Sequence, residues 1–531
     1  MLSISNPIRA WRLILTLGLG VWLAPGTIVA EAHSPKLGCH GDIFAQDRRL
    51  GYRQEGASVN QAEARPDLVI VQAPVVRPGP LSRRFPQGSR LVRLVASDHT
   101  PHLLTPDFFA AADPRTSFDG ARVLFAGKKT ADSPWQIWEM NVDGSGARQV
   151  TRCPDGCVKP AYLPRGQIVY TALPEEWGGA PSGAHLPFIH NPAQASTQTG
   201  ATSQIWVSKV DGSDAQPITF GPGDFQVETV LKNGVILATA RFPLLPSNGL
   251  PADRELYTLR PDGTGLATLR CDHQHPALRS QAQELDDGAV VFVKASLTSQ
   301  SVGGDLAWIR RGALHNAPLT APPILALSPQ PMAADELLVA RESPTGPATG
   351  KKLTLYAFDA GVGKFVKPIY EDPKVSMVEA VPVAAHEPPR WYWSTMNPEL
   401  HRGYFLCLDG HLAEGVPHGR IAAKLTRVRV LTLDGASQNE VPLGEAPMEE
   451  DGSFYIAVPP DQPVRFEVLD DSGHLVRAQR SWIWARSGEE HGCVGCHEDR
   501  ALAPENRWPL ALRRFDTPTR LDLANHPVKS D

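Results

Sequence analysis

The chain has 531 residues, of which 42% are hydrophobic and 21% charged, and a net charge of -5: ordinary globular values with enough material for roughly two to four domains. That balance argues against a cationic surface matched to nucleic acid or anionic lipid. The 49 prolines and 45 glycines are dispersed between short apolar runs, as a turn-rich β protein with few long helices requires.

Arg9 and Arg12 precede an apolar run over 13–30 that ends in Ala30-Glu31-Ala32, a small-x-small cleavage pattern. We read residues 1–32 as a cleaved secretory signal and expect a periplasmic or otherwise exported protein. A retained membrane anchor is the competing reading, disfavoured by Gly18, Gly20, Pro25 and Gly26. No later segment reads as an integral membrane span. An N-terminal extension, 33–66, follows.

The informative pattern is a strand, a polar turn and a second strand. It occurs at Gln136-Ile137-Trp138 running into Asp143-Gly144, at Gln204-Ile205-Trp206 running into Asp211-Gly212, and at Glu255-Leu256-Tyr257 running into Asp262-Gly263. Asp-Gly supplies the positive φ of a tight hairpin. Apolar strands at Ala121–Phe125, Gln167–Tyr170 and Val235–Ala238 precede these hairpins, so a small antiparallel sheet recurs at blade-like intervals. The stretch resembles the propeller repeats of the periplasmic TolB type. Weaker units at Leu91–Thr105, Asp287–Leu319 and Glu336–Tyr370 bring the expected count to about six blades over 67–386.

A linker, 387–400, opens with Glu387-Pro388-Pro389-Arg390, and the repeat stops there. Short alternating strands at Arg427–Leu433, Gly452–Pro459 and Val464–Leu469 predict a small β-sandwich over 401–485, followed by a C-terminal segment, 486–531. The fold class is therefore mainly β.

Seven cysteines, at 39, 153, 157, 271, 407, 493 and 496, cannot all pair internally. Cys153 and Cys157 are close enough in sequence for a local disulfide, with two free thiols as the alternative. Cys493-Val494-Gly495-Cys496-His497 is a c-type haem attachment string: two thiols add to the porphyrin vinyl groups and His497 is placed to ligate the iron. A CxxC redox pair or half a zinc site competes with it, but a zinc ribbon needs a second pair and none follows. One covalent haem c is expected.

Arg480-Ser481-Trp482, Gly488-Glu489, Cys493, Cys496, His497 and Glu498 together resemble the hydrazine synthase α-subunit family, whose members join a propeller, a middle β domain and this CxxCH form. The resemblance implies a multi-subunit setting, hence a partner subunit or redox partner. It also implies a zinc beside the haem held by a propeller-loop cysteine. Cys271, His273 and His275 alternate in such a loop and are the candidate ligands for a metal or for the haem iron itself, a plain surface loop being the alternative. The family's α subunit carries a Tyr ligand four residues after the motif histidine and a second haem; here Ala501 takes that position and there is one CxxCH. His497 is then the ordinary axial ligand, and hydrazine synthesis is not inferred. His491 and His526 are weak candidates for the other side of the iron. Two functions stay open: haem redox chemistry or electron transfer, and recognition of a protein or glycan by the propeller with haem in a structural or sensing role.

Overall fold

The computed structural model describes residues 65–74, 88–97, 99–173, 202–242, 253–269, 277–297, 303–310, 317–318, 325–333, 335–342, 352–413, 415–434, 439–495 and 506–522. The signal and extension expected over 1–66 lie outside these residues except for 65 and 66.

The repeated hairpins become six antiparallel blades of four strands, two of which are joined in one eight-stranded sheet through pairing of Gly304–Ile309 with Leu325–Ala333. Innermost strands are Ala110–Thr116, Cys157–Leu163, Asp224–Val230, Leu278–Glu284, Leu325–Ala333 and Ser376–Val383. The last of these pairs antiparallel with the first strand, Asp67–Ala73, so the two ends of the ring share one blade. The second strands are buried nearly throughout, as in Arg122–Lys128, because neighbouring blades cover both of their faces. Several outermost strands have only two residues, Arg148–Gln149 and Ala267–Thr268 among them, which leaves little free edge for unwanted pairing.

The sequence repeat has a visible cause. Gly144, Gly212 and Gly263 hold φ of +88°, +86° and +83°, and Asp143 accepts hydrogen bonds from the Ser145 amide at 2.8 Å and hydroxyl at 2.7 Å. The glutamines that start two of these strands are used alike. Gln136 accepts from the Thr151 hydroxyl at 2.9 Å and Gln204 from the Thr219 hydroxyl at 2.7 Å, while each threonine oxygen also receives a backbone N–H, from Ile137 and Ile205. Gln136, Thr151 and Thr219 are buried, Gln204 is partly so, and buried polar groups need such partners.

The innermost strands break their ladders, with register shifts at Asp113, Lys159, Glu228, Gln281 and Ser328. Around the propeller axis they bring charges together. Arg115 pairs with Glu379 at 2.9 Å, and Lys159 pairs with Glu228 at 2.8 Å. Glu228 also accepts from the Thr239 hydroxyl and the Gln281 amide. The axis is packed with ion pairs.

Beyond Val383 the chain runs extended across the propeller face that carries the hairpin turns. His386 donates its N–H to Phe118 and Arg390 to Lys232, and Trp391 and Trp393 hold the Arg165 guanidinium between them, 4.8 and 4.3 Å from the ring centres. A Cβ on Gly234 would fall on the Arg390 carbonyl, so the close approach requires glycine.

The second region is a sandwich of two four-stranded sheets. One is ordered Glu440–Pro447, Leu425–Leu433, Val464–Asp470, Leu475–Ala478; the other Glu490–Gly495, Gly403–Asp409, Phe454–Val458, Thr519–Arg520. Phe405 and Phe454 of one sheet pack edge-on to Phe466 of the other, 5.1 and 5.9 Å between ring centres. The segment expected to follow the sandwich from 486 thus supplies two of its strands, both laid parallel to their neighbours.

Sandwich and propeller share a single apolar cluster. Trp484, 1% exposed, packs against Phe220, just before the blade that begins with Asp224–Val230, and against Phe225 of that strand, and donates its indole N–H to the Gly263 carbonyl at 3.1 Å. Arg486 donates to the Asp262 carbonyl at 2.6 Å, and Glu489 accepts the Gly265 amide at 2.7 Å. The Asp-Gly turn of that blade is therefore also a docking point.

Candidate haem-attachment site

The strand Glu490–Gly495 carries Cys493, the first residue of the CxxCH string, at the edge of a sheet. It pairs in parallel with Gly403–Asp409, placing Cys493 opposite Cys407 and Gly495 opposite Asp409. Cys407 is buried; Cys493 is partly exposed and packs against the shared core. Cys496 and His497 lie outside the described residues, as does Ala501. Among the described residues no further strand of that sheet covers the outer side of Glu490–Gly495. The donor set of two thiols and an imidazole is that of a c-type haem.

Where the Gly403–Asp409 strand ends, three polar side chains gather. Asp409, 3% exposed, accepts from Arg420 at 2.8 Å and from the His411 backbone N–H at 3.0 Å; His411 Nδ1 lies 3.2 Å from the same carboxylate. Burial pushes the Asp409 carboxyl up, but these hydrogen bonds and the Arg420 charge outweigh it and hold the group below the ordinary carboxylate value. The intervening loop folds back on itself through the Leu412–Arg420 bridge and the Ile421 N–H donated to the His411 carbonyl at 2.7 Å.

The chain beyond the motif docks on the adjoining turn. Leu510 donates its N–H to the Asp451 carboxylate at 2.9 Å, Ala511 to the Ser453 hydroxyl at 2.9 Å, and Arg507 reaches the Asp451 carbonyl at 3.1 Å. Gly452, in that same turn, touches the other cluster: a Cβ there would stand 2.6 Å from both the Asp409 carboxylate and His411 Nδ1.

His491 lies on the motif's own strand, its ring 5.4 Å from that of Phe405. Cys271, His273, His275 and His526 lie outside the described residues. Among the described residues no three His, Cys, Asp or Glu side chains are gathered as a metal-binding group. Cys153 and Cys157 form a disulfide with Cα atoms 6.0 Å apart, which settles the choice the spacing left open. Sequence reasoning missed Asp409, His411 and Arg420; the only signal was a histidine in a polar turn.

A six-bladed propeller sharing its core with a β-sandwich whose edge strand runs into CxxCH defines a class of two-region β proteins. Residues 424–498 match the family model of the hydrazine synthase alpha subunit middle domain. Hydrazine synthase subunit alpha of Kuenenia stuttgartiensis is 25% identical, the alignment covering 78% of this chain and 63% of that one. This chain thus spans less than two thirds of that relative's length. The solved structure of Kuenenia stuttgartiensis hydrazine synthase superposes with a TM-score of 0.70 at 20% identity, covering 85% of this chain and 72% of that chain. TolB from Acinetobacter baumannii gives 0.39 at 13% identity over 59% of this chain and 65% of that one. The chain is thus similar to the hydrazine synthase alpha subunit in sequence and in fold.

Proposed function

We propose that this chain is an exported c-type haem protein with one haem bonded to Cys493 and Cys496 and ligated by His497, serving electron transfer or redox chemistry on a small molecule. The observation that carries this reading is the CxxCH string at the end of a sheet-edge strand, inside the stretch that matches the family. A bound haem supplies reversible one-electron chemistry, tuned by axial ligands and burial.

The chain's own residues fix where that chemistry sits. Pairing with Gly403–Asp409 holds Cys493 in place, and Glu489, four residues before it, is tied to the propeller through Gly265. The attachment strand is thereby braced against two regions at once. With Ala501 in place of the family's tyrosine, His497 would be the residue of the string that holds the iron. The Cys153–Cys157 disulfide supports export, since such bonds persist in oxidising compartments. No helix among the described residues is long and apolar enough to cross a membrane. A zinc at Cys271, His273 and His275 and a partner subunit remain part of the proposal; the Kuenenia relative is itself named as a subunit.

Maturation of the chain in a host competent for c-type cytochromes, followed by intact mass and a pyridine spectrum, tests the reading. One haem per chain is expected, with covalent attachment reduced or lost in Cys493→Ser and abolished in the double Cys493→Ser, Cys496→Ser variant. A mass equal to the bare polypeptide overturns it.

A further inference from the structure

We infer that Cys407 and Cys493 form a disulfide across their parallel pair of strands in the haem-free chain, so that the thiol proposed as a haem anchor is held in a protein bond until it is reduced. The bond itself stands apart from the haem reading; the competition for Cys493 rests on that reading.

Register supplies the geometry. Gly403–Asp409 and Glu490–Gly495 run parallel, with Cys407 and Cys493 directly opposite each other. Neighbouring strands lie about 4.8 Å apart, inside the roughly 4.4–6.8 Å between Cα atoms that a disulfide spans. Opposed residues of paired strands project from the same face of a sheet, and both cysteines belong to or pack on the apolar cluster shared by sandwich and propeller. On its other flank Cys407 stands opposite Phe454, so of its two neighbouring strands it is Glu490–Gly495 that offers it a sulfur.

Exposure supplies the chemistry. Both residues are thiols in this structure, Cys407 1% exposed and Cys493 partly exposed. The thiolate of Cys493 is therefore the one open to a disulfide oxidant arriving from solvent. It attacks one sulfur of that oxidant, releases the other as a thiol and leaves a mixed disulfide. The Cys407 thiolate then attacks the Cys493 sulfur and displaces the second half of the oxidant, also as a thiol. Two protein thiols and one oxidant disulfide become one protein disulfide and two oxidant thiols, which carry off both protons. Cys153 and Cys157 are already joined in this way, the state that an oxidising compartment maintains. A bond at Cys493 also pins an edge strand with two glycines to the strand beside it.

The test takes the folded full chain made without haem, exposes it to glutathione disulfide, denatures it in an alkylating agent and digests it with trypsin before any reduction. Cys407 falls in the peptide 403–420, and Cys493 with Cys496 in 487–500. The two peptides are expected as one linked species in wild type and in Cys496→Ser, separating on reduction and absent from Cys493→Ser. If Cys493→Ser does not accumulate, fragment masses of the wild-type species identify the bonded sulfur directly. Recovery of Cys407 as an alkylated thiol, or a link that disappears in Cys496→Ser, overturns the inference. In the haem-bearing protein Cys407 should alkylate in full, because Cys493 is then bonded to the porphyrin; a Cys407 that stays blocked there overturns the competition. A mass equal to the bare polypeptide after maturation removes the haem reading and leaves the disulfide to be decided by the peptide map.

Discussion

The propeller and the sandwich solve the same problem, burying β-sheet faces, by opposite means. In the propeller each blade is built from residues close in sequence, and only the pairing of Ser376–Val383 with Asp67–Ala73 spans a long separation. In the sandwich, a strand at 403–409 pairs with one at 490–495, and one at 454–458 with one at 519–520. Local repetition gives a rigid scaffold whose edges are short and quiet. Long-range parallel pairing gives a place where distant residues such as Cys407, Asp409 and Cys493 can be set side by side.

If the two regions behave as one cooperative body, the sharpest way to break them apart is Trp484→Ala. It removes a buried indole shared by both, with its hydrogen bond to Gly263, and should cost about 3–5 kcal/mol in denaturant unfolding. Amides of the blade that begins with Asp224–Val230 should exchange faster together with those of the sandwich; protection lost from the sandwich alone contradicts a shared core.

Asp409→Asn tests the sandwich by itself, in the haem-free chain. The folded-state carboxyl is held below its ordinary value, so its stabilising contribution is present above the unfolded-state value of about 4 and is lost as pH falls through the lower folded one. Wild type should therefore lose stability on acidification over that window, and Asp409→Asn should flatten that limb while costing on the order of 1 kcal/mol near neutrality. Parallel pH profiles for the two proteins would remove Asp409 from the account.

Arg165→Ala is the mildest probe and addresses the strap between the regions. Loss of the cation between Trp391 and Trp393 should cost about 0.5 kcal/mol and alter tryptophan emission while leaving the unfolding cooperativity unchanged.

The same contrast explains what could be read from the amino-acid string. The Asp-Gly hairpins were legible because the turn chemistry and the flanking alternation recur together, and they led to the six-bladed count. The innermost strands were not, since the bulges at Asp113, Lys159 and Ser328 precede prolines and interrupt the alternation with charges aimed at the axis. In the sandwich, the Leu425–Leu433 and Val464–Asp470 strands announced themselves by alternation. Glu490–Gly495 did not: with two glycines in six residues it has no apolar period, and only its partner strand makes it one. His411 carried no pattern at all, because its meaning depends on a buried carboxylate and a turn around residue 452 that come together only in the fold.

The strand at 376–383 also sets an order of events. A ribosome releases residue 67 long before residue 376, so the ring waits, one strand short, until some seven tenths of the polypeptide has been made. Cys493 comes later still, on a strand of the sandwich. The circular scaffold can therefore be complete while the sheet beside it still awaits its outer strands at 490–495 and 519–520.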